Sequence, residues 1–221
     1  MDIRKYFIVN NENSSKESHF FPKDPIKIKK KTPENMKLSS NKYKIYEAFA
    51  DGSSFNNGSK NKSIRSGGIG VYFPDYSQHN ISRSLDKSDK ITNNVAELLA
   101  CIEGIKFFLQ LPEFDKNGDK IILYTDSSYT INSMTNWGHT WRKNGWKKYN
   151  SNKRKYQEIQ NKDLITTLYS LTHNGNYKVQ YVHVRSHQPE PTHLSHEDIM
   201  YKIWLGNKIA DKLATNASKK I

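Results

Sequence analysis

The alternation of apolar and polar positions along the chain predicts an α/β domain that begins near residue 42. Strand patterns occur at 44–50, 67–73, 80–85, 121–125 and 179–184. Helical patterns occur at 94–109, 127–136, 163–172 and 201–217. Three strands followed by alternating helices and strands favour a mixed five-stranded sheet flanked by helices.

Residues 1–41 lack this order. Ser, Asn, Lys and Pro dominate the segment, and Pro22, Pro25 and Pro33 would interrupt regular structure. Because such a composition cannot bury enough apolar surface to fold, we predict a mostly disordered tail. The chain is thereby divided into a tail of residues 1–41 and one domain of residues 42–221.

One acidic side chain disturbs the pattern of the first predicted helix. When the segment is wound at about 100° per residue, Leu98, Cys101 and Ile105 share one face. Glu103 lies almost opposite that face, where solvent is expected, whereas Glu97 lies at the edge of the apolar face. Burying a charged carboxylate in this position costs free energy unless a cation pairs with it.

Three further acids have similar surroundings. Asp51 follows AFA at the predicted end of the first strand, Asp126 follows the buried-strand pattern IILYT, and Asp211 lies within IADKLA of the last helix. Ligand sites in open sheets lie beyond strand ends, so these acids and Glu97 could gather at one place. Any one of them could instead form a turn or cap a helix, and the spacing leaves that alternative open.

Four carboxylates that converge need a cation. Two like charges about 4 Å apart cost about 4 kcal/mol at an effective dielectric of about 20. Divalent cations that prefer oxygen ligands remove this repulsion, and Mg²⁺ is the usual choice for carboxylate sites that handle phosphates. Two such ions about 3.5–4 Å apart can activate a water and stabilise the leaving oxygen of a phosphodiester.

The net charge of +13 favours a polyanionic partner, usually nucleic acid, although basic surfaces also bind anionic membranes. Cys101 is the only cysteine, which excludes an internal disulfide and suits a reducing compartment. No apolar run is long enough for a membrane span, and the N-terminus lacks the apolar stretch of a secretion signal. We therefore expect an intracellular protein, cytoplasmic or nuclear, that is monomeric and has no membrane partner.

A basic segment at 141–156 contains seven Lys or Arg and no acid. Four aromatic residues are interleaved with these cations: Trp141, Trp146, Tyr149 and Tyr156. The cations could neutralise phosphates while the aromatic rings pack against sugars. The alternative is a solvated run of charge that its tryptophans attach to the core.

Six strings of the sequence resemble, in the same order, the signatures of type 1 ribonuclease H, and look closest to its eukaryotic and viral branch. They are ADGSS, SGGIGVYF, TNNVAELLA, LYTDSSYTINSMTNW, WRKNGWKK and GNKIADKLA. The resemblance covers about residues 44–217 and implies a ribonuclease H-like α/β fold. It also implies an endonuclease that hydrolyses the RNA strand of RNA–DNA hybrids and leaves 3′-hydroxyl and 5′-phosphate ends, with a role in DNA replication.

The resemblance further assigns residues to roles. It implies that two Mg²⁺ ions, for which Mn²⁺ could substitute, are held by Asp51, Glu97, Asp126 and Asp211. His187 matches a mobile histidine that assists proton transfer or product release. The matched substrate-binding positions are Asn57, Lys90, Thr92, Asn93, Asn94, Tyr129, Trp137, Trp141 and Asn161.

These substrate positions divide by the part of the hybrid that they would contact. The resemblance implies that Tyr129 and Trp137 line the DNA channel, beside a basic protrusion formed by the segment that contains Trp141. Lys90, Thr92 and Asn161 would form a phosphate pocket, in which Lys90 replaces the Arg of many relatives and so lacks bidentate contact. The remaining asparagines would read the 2′-hydroxyl of RNA in the minor groove, since an amide both donates and accepts.

Two features lie outside this set of matched positions. Residues 188–203 are expected to form a long loop with no obvious counterpart in short bacterial members of the family, and the loop could alter product release. The N-terminal MDIRKYF resembles a sliding-clamp binding motif through Ile3, Tyr6 and Phe7, without the usual leading Gln. A chance aromatic pair in a flexible arm explains it equally well.

The sequence disfavours three other functions. A zinc site formed by His183, His187, His193 and His196 is disfavoured because no cysteine assists. A non-catalytic hybrid-binding or clamp-associated adaptor on the same fold is opposed by the presence of all four acids. A transposase or integrase core is opposed by the TNN motif and by the basic segment.

Overall fold

A computed structural model describes residues 8–9, 43–55, 66–85 and 91–219. Its strands are β1 Ile8–Val9, β2 Ile45–Phe55, β3 Ser66–Tyr72, β4 Ile81–Leu85, β5 Lys120–Thr125, β6 Lys147–Asn150, β7 Lys155–Glu158 and β8 Lys178–His183. Its α-helices are α1 Asn93–Gln110, α2 Ser128–Asn132, α3 Gly138–Lys143, α4 Lys162–His173 and α5 Ile199–Ser218. A 3₁₀ segment covers Pro74–His79, and a π-helical turn, Ser133–Trp137, joins α2 to α3.

The five predicted strands form one mixed sheet, so the predicted fold class is confirmed. The order across the sheet is β1-β8-β5-β2-β3-β4. Strands β2, β5 and β8 run parallel, whereas β3 and β4 pair antiparallel beside β2. The two-residue strand β1 adds a sixth, antiparallel member at the β8 edge, opposite Val182 and His183.

Strand β1 comes from the segment predicted to be a mostly disordered tail. Only its residues Ile8 and Val9 belong to the part of that segment that the structure describes. The clamp-like motif of Ile3, Tyr6 and Phe7 lies outside the described residues, and its role stays a prediction.

Helices cover both faces of the sheet. Helix α1 lies against β2 and β3 and also packs on α4, whereas α5 crosses β2, β3 and β4 on the opposite face. Strand β5 shows why: Ile121 and Leu123 belong to the larger core cluster, and Tyr124 belongs to the smaller cluster, which includes Ile203 of α5. Successive side chains of a strand point to opposite faces, so β5 is buried on both, as its apolar run predicts.

Strand β2 is longer than the sequence pattern predicts. Its parallel pairing with β5 stops at Phe49, opposite Tyr124, but its antiparallel pairing with β3 continues to Phe55. The expectation that Asp51 lies at the end of the first strand is therefore wrong. Asp51 lies inside β2, opposite Gly70 of β3 and just beyond the edge where β5 ends.

The basic segment contains structure that the sequence pattern does not predict. Strands β6 and β7 pair as a hairpin in which Tyr149 lies opposite Tyr156, with ring centroids 5.4 Å apart. The hairpin is solvent-facing, so its side chains lack the apolar alternation that marks a half-buried strand. The predicted loop of 188–203 is also shorter than expected, because α5 begins at Ile199.

Gly52 allows α1 to pack directly on β2. A Cβ atom at this position would overlap the backbone of Ala96 and of Glu97. We expect Gly52→Ala to lower the free energy of unfolding by about 1–3 kcal/mol, because α1 would have to move away from the sheet. Urea unfolding followed by circular dichroism measures the change.

Gly118→Ala is the matched control for this substitution. Its Cβ would meet no heavy atom closer than 3.5 Å, the distance to Asp115 Oδ2. The expected effect is within about 0.5 kcal/mol. Equal stabilities for the two variants would show that α1 does not depend on close contact at Gly52.

Candidate active site

Three acidic side chains from distant parts of the chain meet at one edge of the sheet. Asp51 lies in β2, Glu97 in the first turns of α1, and Asp126 directly after β5. Each offers a carboxylate oxygen, and these oxygens all lie within 4.8 Å of one another. Asp51 and Glu97 are each only 8% exposed, so the cluster is largely withdrawn from water.

Strand register and one glycine explain the meeting. Because β2 and β5 run parallel with Phe49 opposite Tyr124, two further residues along each strand bring Asp51 level with Asp126. Gly52 then lets the start of α1 lie on β2, which places Glu97 beside Asp51. The position of Glu97 at the edge of the core, inferred from helical periodicity, is confirmed.

Asp211 reaches the site from the other face of the sheet. A Cβ on Gly70, the residue opposite Asp51, would overlap the carbonyl oxygen of Ala210, so α5 approaches as closely as a glycine allows. The negative charge of Asp211 is near enough to raise the pKa of Asp51. Asp211 is half-buried and lies outside the group of three carboxylates within 4.8 Å.

Burial raises the pKa of all three clustered acids, and repulsion by neighbouring carboxylates raises the pKa of Asp51 and Glu97 further. Burial raises the pKa of Asp51 well above its ordinary value, and the charges of Asp126 and Asp211 raise it further. Burial likewise raises the pKa of Glu97, with added repulsion from Asp51 and Asp126. The pKa of Asp126 is raised by burial, although His183 and His187 oppose the shift.

Neighbouring hydrogen-bond donors hold the carboxylates in place. Gly52, through its backbone, and the hydroxyl of Thr125 stabilise the charged form of Glu97 and partly lower its pKa. The hydroxyl of Ser186 does the same for Asp126. Sequence reasoning did not single out Thr125 or Ser186, although Thr125 directly precedes an acid that it did single out.

The donor set fits a hard divalent cation. Glu97 Oε2 is buried and has no hydrogen-bond partner within the described part of the chain. Buried polar atoms in proteins are nearly always paired, so an unpaired oxygen on a residue of this carboxylate cluster is suited to a metal ion. Carboxylate-only sites favour Mg²⁺ and Mn²⁺ over the softer metals that select sulfur or imidazole ligands.

Two histidines adjoin the carboxylates. His183 Nε2 lies 3.1 Å from the carbonyl oxygen of Asp126 and 3.2 Å from Ser128 Oγ. His187, in the loop after β8, is close enough for its charge to lower the pKa of Asp126. The structure therefore places His187 near the acids, as the resemblance implies, while its role in catalysis remains a proposal.

The four histidines weighed as a zinc site do not form a group of close ligand atoms in the described part of the chain. His183 is engaged as described, and the ring of His196 stacks on Tyr201 with centroids 4.5 Å apart. Across residues 43–55, 66–85 and 91–219, the one group of three or more His, Cys, Asp or Glu with ligand atoms close together is the carboxylate cluster.

Tyr129, Trp137 and Trp141 lie side by side and form an aromatic row. Ring centroids are 6.2 Å apart for Tyr129 and Trp137, and 5.5 Å apart for Trp137 and Trp141. Trp137 is 41% exposed, so the row presents ring surface to solvent. Asn161 adjoins the row, because its Nδ2 donates to the Tyr129 hydroxyl over 3.4 Å.

Three of the residues predicted to contact the 2′-hydroxyl or phosphate, Thr92, Asn93 and Asn94, lie at the start of α1. Thr92 Oγ1 caps the helix by accepting from the Val95 N–H at 3.3 Å, and Asn93 Oδ1 accepts from the Ser54 N–H at 3.0 Å. Asn94 is exposed. Asn57 and Lys90 lie outside the described residues.

The basic segment is attached to the core, and its binding of phosphates stays a prediction. Trp146 packs edge-on against Tyr169, with centroids 5.3 Å apart, and Arg142 lies over the same ring. These contacts attach the segment to α4, as the structural alternative proposed. Lys147 and Lys148 nevertheless remain exposed, so the hairpin keeps cations available to a polyanion.

The family model described as RNase H matches residues 43–219, which include all of these site residues. The chain belongs to the RNase H family. It is 31% identical over 155 residues to a probable ribonuclease H of Acanthamoeba polyphaga mimivirus; the aligned region covers 70% of this chain and 59% of that protein. It is 30% identical over 171 residues to human Ribonuclease H1, and this alignment covers 77% of this chain and 49% of that protein. The chain thus spans about half to three fifths of the length of these relatives.

Solved structures agree on the RNase H fold. A structure of a foamy viral protease-reverse transcriptase in complex with dsDNA matches with a TM-score of 0.52 at 24% identity, over 80% of this chain and 95% of that one. A crystal structure of LC9-RNase H1, described as a type 1 RNase H with the type 2 active-site motif, matches with a TM-score of 0.52 at 21% identity, over 80% and 72%.

Among the helices within residues 91–219, none has the length and apolar composition that crossing a membrane demands.

The clustered acids predict an unusual pH dependence of stability. The pKa values of Asp51 and Glu97 are raised on folding, so the metal-free protein loses stability as pH rises from about 4, the unfolded value, through the raised values. We expect Glu97→Gln to raise the melting temperature of the metal-free protein at pH 8 by about 2–4 °C, because it removes one repelling charge. The gain should shrink towards pH 4.

Glu103→Gln is the matched control on the same helix. Glu103 is paired with Arg83 at 3.4 Å and with Lys106 at 3.7 Å, so its loss should not stabilise the protein. Added Mg²⁺ should raise the melting temperature of wild type and of the control more than that of Glu97→Gln. A Glu97→Gln gain that is the same at pH 4 and pH 8 would contradict mutual repulsion at the site.

Proposed function

We propose that this protein is an endonuclease that hydrolyses the RNA strand of RNA–DNA hybrids, leaving 3′-hydroxyl and 5′-phosphate ends. The observation that carries the proposal is the convergence of Asp51, Glu97 and Asp126 in a chain of the RNase H family. Relatives named as ribonucleases support the reaction class.

Two Mg²⁺ ions are the proposed cofactors, with Mn²⁺ as a substitute. Asp51, Glu97 and Asp126 would hold the first ion, and Asp211, at the margin of the cluster, would complete the second site. When bound, such ions activate water and neutralise the leaving oxygen of a phosphodiester.

The rest of the site orients these ligands. The Ser186 hydroxyl and the charge of His183 stabilise the charged form of Asp126. The Thr125 hydroxyl and the Gly52 backbone do the same for Glu97. Because the acids are fixed by β2, β5 and α1 before substrate arrives, little reorganisation is needed during the reaction. His187 is the proposed group that moves a proton at the scissile phosphate or assists product release.

The proposed hybrid-binding surface extends from the acids across the start of α1 to the aromatic row. Asn57, Asn93 and Asn94 would meet the minor groove, where amide groups can contact the 2′-hydroxyl of RNA. Lys90, Thr92 and Asn161 would bind a phosphate of the DNA strand. The aromatic row of Tyr129, Trp137 and Trp141 would pack against DNA sugars, beside the cations of the β6–β7 hairpin.

We further propose that the protein is a monomer of the cytoplasm or nucleus that removes RNA primers or transcripts from replicating DNA. The charge of +13 supports a nucleic-acid partner. Binding of a sliding clamp through Ile3, Tyr6 and Phe7 would bring the enzyme to its substrate.

Cleavage of a labelled RNA–DNA hybrid tests the function directly. Wild type with Mg²⁺ should cut the RNA strand and leave single-stranded RNA, duplex RNA and duplex DNA intact. Asp126→Asn should reduce the rate by at least about 100-fold, because it removes one charged ligand. Asp163→Asn, an exposed acid on α4, should cut at the wild-type rate.

The outcomes separate this enzyme from a non-catalytic adaptor. Cleavage by wild type that is abolished by EDTA and restored by Mg²⁺ or Mn²⁺ would support the proposal. Wild-type protein that binds the hybrid but does not cut it with either metal would instead favour the adaptor.

The role of His187 is tested by comparing two histidines of the same loop. His187→Ala should lower kcat by about 10–100-fold, with KM changed less than about twofold, because binding does not depend on proton transfer. His193→Ala removes an exposed imidazole and should leave both constants unchanged. Equal effects of the two substitutions on kcat would remove His187 from the mechanism.

A further inference from the structure

The β8–α5 loop, residues 184–198, is folded back onto α5. Trp204 Nε1 donates to the carbonyl oxygen of Gln188 at 3.0 Å, and the Tyr201 hydroxyl donates to Glu190 Oε1 at 2.9 Å. His196 stacks on the Tyr201 ring with centroids 4.5 Å apart. Three separate contacts thus hold the loop against the helix that carries Asp211.

The loop and the helix enclose an open recess. Arg185, His187 and Glu190 line it from the loop, and Trp204, Lys208 and Asp211 line it from α5. The recess therefore opens directly onto two residues of the candidate active site, His187 and Asp211. It lies on the α5 side of the acids, whereas Glu97 and the start of α1 approach from the other face of the sheet.

The floor and charge of the recess suit a nucleotide. Lys208 Nζ lies 4.5 Å from the centre of the Trp204 ring, which combines a cation with a flat apolar surface. Lys208 precedes Asp211 by one turn of α5, so the two side chains are neighbours on the helix surface. The one acidic residue of the recess outside the active site, Glu190, already accepts the Tyr201 hydroxyl. A phosphate can therefore meet Lys208 while its sugar or base contacts the indole.

We propose that this recess binds the RNA nucleotide adjacent to the scissile phosphate. Lys208 neutralises the phosphate of that nucleotide, and Trp204 supports its sugar or base. The loop contacts keep the recess open beside Asp211. The proposal rests on the proposed hydrolysis of RNA–DNA hybrids and adds a substrate position that is not among the residues implied by family resemblance.

Charge removal at Lys208 is the first test. Lys208→Met keeps the aliphatic stem over Trp204 and removes the ammonium group. Lys202→Met is the control, because Lys202 is an exposed lysine of the same helix that pairs with Glu197 and does not line the recess. Both variants are placed in the inactive Asp126→Asn background, and hybrid binding is measured by fluorescence anisotropy over a range of salt concentrations.

We expect Lys208→Met to weaken hybrid binding by about 5–20-fold and to reduce the slope of log affinity against log salt by about 1. Lys202→Met should change affinity by less than about twofold. Equal losses for the two variants would mean that Lys208 contributes only general charge, and would overturn the proposal.

Neutral phosphate analogues locate the contact. Hybrids are prepared with a single methylphosphonate at each position of the RNA strand around the cleavage site. A methylphosphonate next to the scissile phosphate should lower the affinity of the hybrid for the Lys202→Met protein. The same methylphosphonate should not lower its affinity for the Lys208→Met protein any further. The same loss in both proteins at every position would overturn the assignment of a phosphate to Lys208.

Two substitutions of Trp204 separate stacking from loop anchoring. Trp204→Phe keeps an aromatic surface but loses the N–H that binds Gln188, whereas Trp204→Ala loses both. The proposal expects Trp204→Phe to bind the hybrid within about threefold of wild type and Trp204→Ala to bind at least about 5-fold more weakly. Equal weakening by both would overturn the stacking role.

Failure of this inference can be told apart from failure of the proposed function. If wild type neither cuts nor binds the hybrid, both the proposed function and the proposed role of the recess are wrong. If wild type cuts the hybrid but Lys208→Met behaves like Lys202→Met, only the proposed role of the recess is wrong.

Discussion

Mutual repulsion among buried carboxylates is the constraint on which the rest of this structure depends. Asp51, Glu97 and Asp126 are held with oxygens within 4.8 Å of one another, and burial raises the pKa of each. Nothing in the carboxylates themselves favours this arrangement without a cation. The sheet and α1 impose it, because parallel strands and a closely packed helix have no freedom to separate the charges.

Close packing of two helices on the sheet holds the carboxylates in this arrangement. Gly52 lets α1 lie on β2, and Gly70, directly opposite Asp51, lets α5 lie on β3 from the other face. The two helices thus approach the same point of the sheet from opposite faces. Helix α1 brings Glu97 into the closest group of three carboxylates, and α5 brings Asp211 to the margin of that group.

Positive charge and aromatic surface are arranged around this acidic centre. The aromatic row and the β6–β7 hairpin lie on the side of α2, α3 and α4, and the recess of the β8–α5 loop lies on the side of α5. The recess is lined by Asp211 itself, so it adjoins the acidic centre directly. Excess positive charge favours association with polyanions, and the clustered carboxylates are the kind of donor set that binds hard divalent cations.

The sequence alone determined the positions of the five long strands, the family, and the unusual placement of Glu97, because strand alternation and helical periodicity are local properties. It did not determine that β2 runs through Asp51, since that depends on pairing with β3, or that β6 and β7 pair, since exposed strands carry no apolar pattern. Only the tertiary structure decided which acids lie within 4.8 Å of one another and that Asp211 lies outside that group. It also decided that Trp204 and Lys208 share a recess with His187. These are contacts between residues far apart in the chain, and their distances follow from packing rather than from spacing.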